Sequence, residues 1–250
     1  MTQRTHSAAD AESALRQDLA AAFRLCDRFG WSESVGNHFS AALPGRDGAF
    51  LLNPRWRHFA AMRARDLLVL DADDEQVMDR PDAPDPSAWT IHGAIHRQLP
   101  QAQVILHCHP PYAVALSCLE DPAVLPIDNN TARFYGRTGY TAEFGGIADA
   151  QEEGRRIAAA MEGKSVLVMA NHGVTVAGDT VAEAFEDLYF FETAARTLIL
   201  ALSTGRPLSV LSDEVARATA DGWAAYRGMA ARHFDYLKSR LDAEDASWRD

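Results

Sequence analysis

The chain holds nine histidines, five of them between His92 and His172. His107 and His109 close the apolar run Val104-Ile105-Leu106, and side chains two apart on a strand share one face. His172 stands in Asn171-His172-Gly173, directly after a second apolar run, Val166-Leu167-Val168-Met169. If those strands lie near one another in one sheet, three imidazoles converge. Three neutral nitrogen ligands with one open position is how a catalytic zinc is held. Spacing alone does not decide this, because a His-x-His pair is more often incidental than metal-binding. Cys108 points to the opposite face and reads as core. His92 and His96, four apart, share a helix face. No Glu follows His92 as in the zinc metalloprotease helix, so that pair reads as structural. His38 reads as a hydrogen-bonding residue in a turn beside Gly36-Asn37, and His6, His58 and His233 carry no supporting context. The sequence has no Gly-x-Ser-x-Gly elbow, phosphate-binding loop or Gly-x-Gly-x-x-Gly fingerprint. Gly163-Lys164-Ser165 lacks the upstream glycine and reads as a helix-to-strand turn.

These residues need elements to position them. Leu15, Leu19, Ala22, Phe23 and Cys26 recur at helical spacing and predict a helix over 11–29, stopped by Gly30. Short apolar runs predict strands at 49–52, 67–70, 103–109 and 165–170, with 174–177 either continuing the last or pairing with it. The stretch 59–65 reads either way. Residues 71–87 carry seven acidic residues and three prolines and read as a solvated loop. Helices are expected at 87–98, after Pro110-Pro111, at 149–161, from Asp179 or Thr180 to about 203, and from Asp213 to about 241. The glycine-rich stretch 136–146 reads as loop with one strand. Strands mixed with helices indicate an α/β layered domain.

Acidic residues outnumber Lys and Arg by 35 to 24, a net charge of −11, which repels phosphate backbones and anionic lipid. Neither a nucleic acid nor a membrane is therefore the expected partner. No apolar run approaches a membrane span, the first ten residues lack the core of a secretory signal, and three cysteines cannot all pair. The expected compartment is a reducing cytoplasm.

Several motifs together resemble the class II aldolase/adducin superfamily, its adducin-like bacterial branch in particular: Gly36-Asn37-His38-Phe39-Ser40, Ile91-His92-Gly93-Ala94-Ile95-His96-Arg97, Val104 to His109 followed by Pro110, and Ala170-Asn171-His172-Gly173-Val174 with Gly178 and Glu183-Ala184 downstream. The resemblance runs from the first helix to about Leu202. It implies one α/β domain over 1–250, a three-layer α/β/α sandwich with a mostly antiparallel sheet, and a C-terminal helical extension from about 205. It also implies a homotetramer with sites between subunits, and one divalent metal per subunit on His107, His109 and His172, zinc first with Mn2+, Co2+ or Ni2+ as alternatives. In such enzymes the metal stabilises the enediolate formed when a carbon–carbon bond breaks.

The sequence departs from the aldolase pattern in places. The acid/base Glu of the aldolases aligns with Ala88. Gly36 and Asn37 match one phosphate loop and Ser87 part of another, but the usual Thr/Ser-Gly pair is replaced around Asn53-Pro54-Arg55-Trp56. Where relatives carry a proton-transfer residue the chain has Asn130, which orients but does not titrate, so Tyr135 or water is the expected proton donor. Arg133 and Arg137 either clamp a substrate carboxylate through paired hydrogen bonds or form ordinary salt bridges. The expected function is a metal-dependent carbon–carbon lyase, aldolase or decarboxylase, acting on a small hydroxy- or oxo-carbonyl compound. The alternatives are a noncatalytic adducin-like assembly module and a sugar-phosphate epimerase.

Overall fold

The computed structural model describes residues 8–141, 151–226 and 228–250. Helix α1 spans Ala8–Arg28 and buries Leu19, Phe23 and Cys26 on one side, as their spacing requires. Strands β1 (His38–Ala42), β2 (Ala49–Leu52) and β3 (Leu68–Asp71) follow. Next comes a composite helix: α2 (Pro86–Ala88), a π-helical turn at Trp89–Gly93, and α3 (Ala94–Gln98). Then come β4 (Val104–Cys108), α4 (Pro111–Ser117), α5 (Asn129–Ala132), β5 (Thr138–Tyr140), α6 (Gln151–Met161), β6 (Val166–Met169) and β7 (Gly173–Gly178). Helices α7 (Val181–Ser203), α8 (Asp213–Ala225) and α9 (Met229–Glu244) complete the chain with a 3-10 turn at Ala246–Arg249.

The seven strands form one sheet in the order β3-β2-β1-β4-β7-β6-β5. Every neighbouring pair is antiparallel except β5 with β6. Period-2 alternation divides the strands between two cores. Phe39, Ala41, Leu106, Cys108, Val174 and Val176 face a layer built on α1, α4 and α7. Ile105, Leu167 and Met169 face Ile91, Ile95 and Ile157 on the other side, and Phe50, Leu52 and Leu70 continue that side. The result is the expected three-layer sandwich on a mixed, mostly antiparallel sheet. Phe234, Leu241 and Trp248 belong to the same core as α1 and α7, so the C-terminal helices fold back onto the sandwich.

Two elements depart from expectation, and one open alternative is resolved. Residues 38–42 form a strand rather than a turn, because pairing with both β2 and β4 outweighs the weak strand propensity of His-Phe-Ser-Ala-Ala. The helix expected over 87–98 begins one residue earlier, with Asp85 as its N-cap, and carries the π turn. Residues 174–177 prove to be the hairpin partner of β6, in β7. The expected helix start at Asp149 and residues 142–146 of the glycine-rich stretch lie outside the described residues, while its described part holds β5, the one strand expected there.

Candidate metal centre

Alternation along β4 puts His107 and His109 on the Ile105 face, and Cys108 goes into the opposite core. Strand β7 lies antiparallel beside β4 with His107 opposite Thr175 and Cys108 opposite Val174. The β6–β7 hairpin, which carries His172, therefore lies at the same end of the sheet as His109. Asn171 takes a left-handed φ of 53° in that turn, a conformation asparagine tolerates. Gly173 follows because a Cβ there would lie 2.5 Å from His109 Cδ2 and 2.8 Å from the Cys108 carbonyl oxygen.

The ligand nitrogens of His107, His109 and His172 lie within 4.8 Å of one another. Their tautomers follow from the hydrogen bonds behind them. With its proton directed to Met169 Sδ at 3.4 Å, Thr175 Oγ1 is free to accept the N–H of His107 Nδ1 across their 3.0 Å contact, the tautomer that ligation through Nε2 needs. His107 Nε2 is thereby left as a lone pair. His109 Nδ1 lies 2.6 Å from the Glu33 carboxylate, which only accepts, so His109 Nε2 is also a lone pair in the neutral ring. That atom is buried with no hydrogen-bond partner among the described residues. Leaving it unpaired costs about 1–3 kcal/mol, and a metal ion is an acceptor that the lone pairs of His107 and His109 fit, with the His172 ring beside them. A carboxylate behind a ligating histidine is the usual way its ring is oriented. Burial pushes His107 well below the ordinary imidazole range, with smaller contributions from the surrounding imidazoles. Burial, then the charge of His109, lowers His172 to about 4. Both stay in the neutral form that ligation needs.

A second cluster adjoins the first. His38 sits opposite His107 in the sheet, its ring stacked on the His107 ring with centroids 4.8 Å apart. His38 Nδ1 lies 2.8 Å from His92 Nε2, His92 Nδ1 lies 2.5 Å from Ser40 Oγ, and Ser40 Oγ lies 2.8 Å from His96 Nε2. Burial lowers His38 and His96 to about 3 and His92 well below its ordinary value. The π turn sets the phase between Ser87 and the His92/His96 pair, and such turns recur at functional sites. Sequence reasoning missed Glu33, Ser40 and Thr175 altogether and gave His38 and His92 no part in the site. The available signals were His38-x-Ser40, an alternation like that of His107-x-His109, and the four-residue spacing of His92 and His96.

Gly36, Asn37 and Ser87 are brought to the imidazoles. Gly36 N–H donates to the Glu33 carbonyl at 3.0 Å, closing the turn that presents Glu33 to His109. Asn37 Oδ1 accepts from the Glu33 N–H at 2.6 Å, and its buried Nδ2 has no partner among the described residues. Ser87 Oγ lies 3.4 Å from His38 Nε2. Ala88 packs with Phe50, Leu52 and Leu70.

Asn130, Arg133, Tyr135 and Arg137 are not brought there. Thr138 pairs with Val166, at the start of β6, whereas His172 follows its end. At roughly 3.3 Å per residue the two ends of β7 are about 17 Å apart. Arg133 is buried with its guanidinium 4.4 Å from the Phe190 ring centroid and 5.1 Å from that of Trp223. It pairs with Asp187 at 3.4 Å, and Arg137 pairs with the other oxygen of the same carboxylate. Of the two readings, clamp or salt bridge, the described residues contain the salt bridge: both guanidiniums pair with Asp187, while Arg133 Nε and Nη1 have no hydrogen-bond partner among them. The Tyr135 phenol is hydrogen-bonded to Asp213, which raises its pKa, and Asn130 lies in α5 beside them.

Residues 17–199 match the family described as Class II Aldolase and Adducin N-terminal domain. A Caulobacter vibrioides protein whose name assigns it to aldolase class 2 is 33% identical over 83% of this chain and 80% of its own length. The decarboxylase NovR of Streptomyces niveus is 26% identical over 83% of this chain and 79% of its own. The crystal structure of an aldolase II superfamily protein from Pseudomonas syringae superimposes with a TM-score of 0.86 at 32% identity, covering 96% of each chain. By sequence match and by architecture, the chain belongs to the class II aldolase and adducin family.

Proposed function

We propose that the protein is a divalent-metal-dependent carbon–carbon lyase, of aldolase or decarboxylase type, acting on a small hydroxy- or oxo-carbonyl compound. His107, His109 and His172 would hold one ion per subunit, zinc in the first place. The observation that carries this reading is the buried, unpartnered Nε2 of His109 within 4.8 Å of the ligand atoms of two further imidazoles. When bound, the ion supplies an electron sink for a carbonyl compound losing a carbon–carbon bond. The chain's own residues do the rest: Thr175 and Glu33 hold two rings with Nε2 turned inward, burial keeps His107 neutral, and Gly173 admits the close approach of the hairpin. Family membership and a decarboxylase-named relative support lyase chemistry. Tyr135 and Asn130 lie too far along the sheet to serve their own chain's imidazoles, so in this reading they serve a neighbouring copy within a homotetramer.

The test is to load the purified protein with zinc and screen oxo-acids and hydroxy-aldehydes, following enolate or carbon dioxide release before and after chelation. Turnover lost on chelation and regained with metal is the expected result. A His107→Ala protein that keeps a full equivalent of metal by elemental analysis would sink the reading.

A further inference from the structure

The hydrogen bonds that run from the imidazole cluster to its rim all point one way. Asp85 Oδ1 accepts from the Ser87 N–H at 3.0 Å and from the Ser87 hydroxyl at 2.6 Å. A serine has one hydroxyl proton, so toward His38 Ser87 Oγ only accepts, and the 3.4 Å contact is His38 Nε2–H donating to it. A neutral ring carries one N–H, and the buried His38 spends it on Ser87. Its Nδ1 therefore accepts from His92 Nε2–H. By the same count, His92 Nδ1 accepts the Ser40 proton and Ser40 accepts from His96 Nε2–H. Every proton from His96 onward points toward Asp85.

What this leaves at the rim is a serine lone pair and the second carboxylate oxygen of Asp85. Asp85 Oδ2 forms a half-exposed ion pair with Arg55 Nε at 3.7 Å, longer than a hydrogen bond, and the Arg55 guanidinium lies over the exposed Trp56 ring at 4.3 Å. Both positions are acceptors with no hydrogen-bond donor on them among the described residues. They complement a hydroxyl and repel the oxygens of a phosphate.

Building on the metal reading above, we propose that the Ser87–Asp85 rim of the three-imidazole site recognises a substrate hydroxyl and discriminates against a phosphate in the same position. The substrate class is thus an unphosphorylated, hydroxylated acid or carbonyl compound. Asp85 is the specificity-determining residue, and the Ser87 hydroxyl, spent on Asp85, is unavailable to a phosphate.

Glycerate and 3-phosphoglycerate test this, because they share a 2-hydroxycarboxylate head able to chelate a divalent ion and differ only in the phosphate. Zinc stoichiometry is measured first, then the affinity of each probe for the zinc-loaded chain. The expected result is at least tenfold tighter binding of glycerate, with the preference cancelled or reversed in Asp85→Asn, which keeps an N-cap of equal quality and releases Arg55. Nitrogen-15 spectra of the wild type are expected to show His38, His92 and His96 protonated at Nε2. A zinc-loaded chain that prefers 3-phosphoglycerate or binds neither probe, an Asp85→Asn ratio equal to the wild type, or His38 protonated at Nδ1 overturns this inference and leaves the metal reading standing. A chain that takes up no zinc overturns both.

Discussion

His96 shows what burying an imidazole does to the molecule's response to acid. Folded, it titrates near pH 3 because burial disfavours its charge, whereas an unfolded imidazole takes up a proton near pH 6.5. Between those values the unfolded chain binds more protons, so stability falls as pH drops below about 6.5 and goes on falling toward 3. One such group adds a slope of about 1.4 kcal/mol per pH unit. His96→Gln, which keeps an N–H donor for Ser40, is expected to remove one proton's worth of that slope in urea unfolding between pH 6 and 4. An unchanged slope would show that His96 is already protonated in the fold. The three ligand candidates were legible in the sequence because two of them alternate at the end of an apolar run and the third follows another. His38 and His92 were not, because their meeting depends on the pairing of β1 with β4 and on a helix phase, neither of which is local.

Elements, in turn, were legible where the apolar pattern was strong. Strand β2 falls on the expected residues, and β3, β4 and β6 fall within one residue of expectation at each end. Strand β1 and the π turn lack such a pattern and are imposed by their neighbours. Two predictions belong at this scale. Gly173→Ala places a methyl group against His109 and the Cys108 carbonyl, and is expected to cost about 1–3 kcal/mol of stability and to weaken zinc binding at least tenfold by titration. An Ala variant with wild-type zinc affinity would show that the hairpin yields without moving His109. Helix α4 starts two residues after His109, and its first turn is held by Glu192 of α7, which accepts from Tyr112 N–H at 2.9 Å and Ala113 N–H at 2.8 Å. Removing that carboxylate in Glu192→Ala leaves one buried and one half-buried donor unpaired, an expected loss of about 1–3 kcal/mol in urea unfolding.

At the scale of the whole molecule, the sheet holds its two groups of chemistry-bearing residues apart. The imidazoles occupy one end, while Arg133, Arg137 and Asp187 occupy the other. The layered architecture could be anticipated from the family resemblance, but the distance between those ends could not, since Tyr135 and His107 are near neighbours only on paper. A homotetramer in which one copy's Asn129–Tyr135 stretch meets another copy's imidazoles would reconcile the two. The net charge of −11 does not oppose this, because screening over about 8 Å at physiological salt confines repulsion to close charges. Light scattering is expected to give four times 27.4 kDa, and mixing inactive His107→Ala with inactive Tyr135→Phe subunits is expected to restore part of the activity. A monomeric mass at micromolar concentration would rule the arrangement out.

The π turn between Trp89 and Gly93 also has a meaning for chain length. One residue in a helix is worth about 100° of rotation, so the inserted residue sets the angle at which His92 and His96 leave the helix relative to Ser87. A relative shorter by one residue in this stretch would swing both rings away from Ser40 even with every other residue kept. The spacing from Ser87 to His92 is therefore a ruler, and a gap within those few positions marks a protein that has lost the one-way path to its rim.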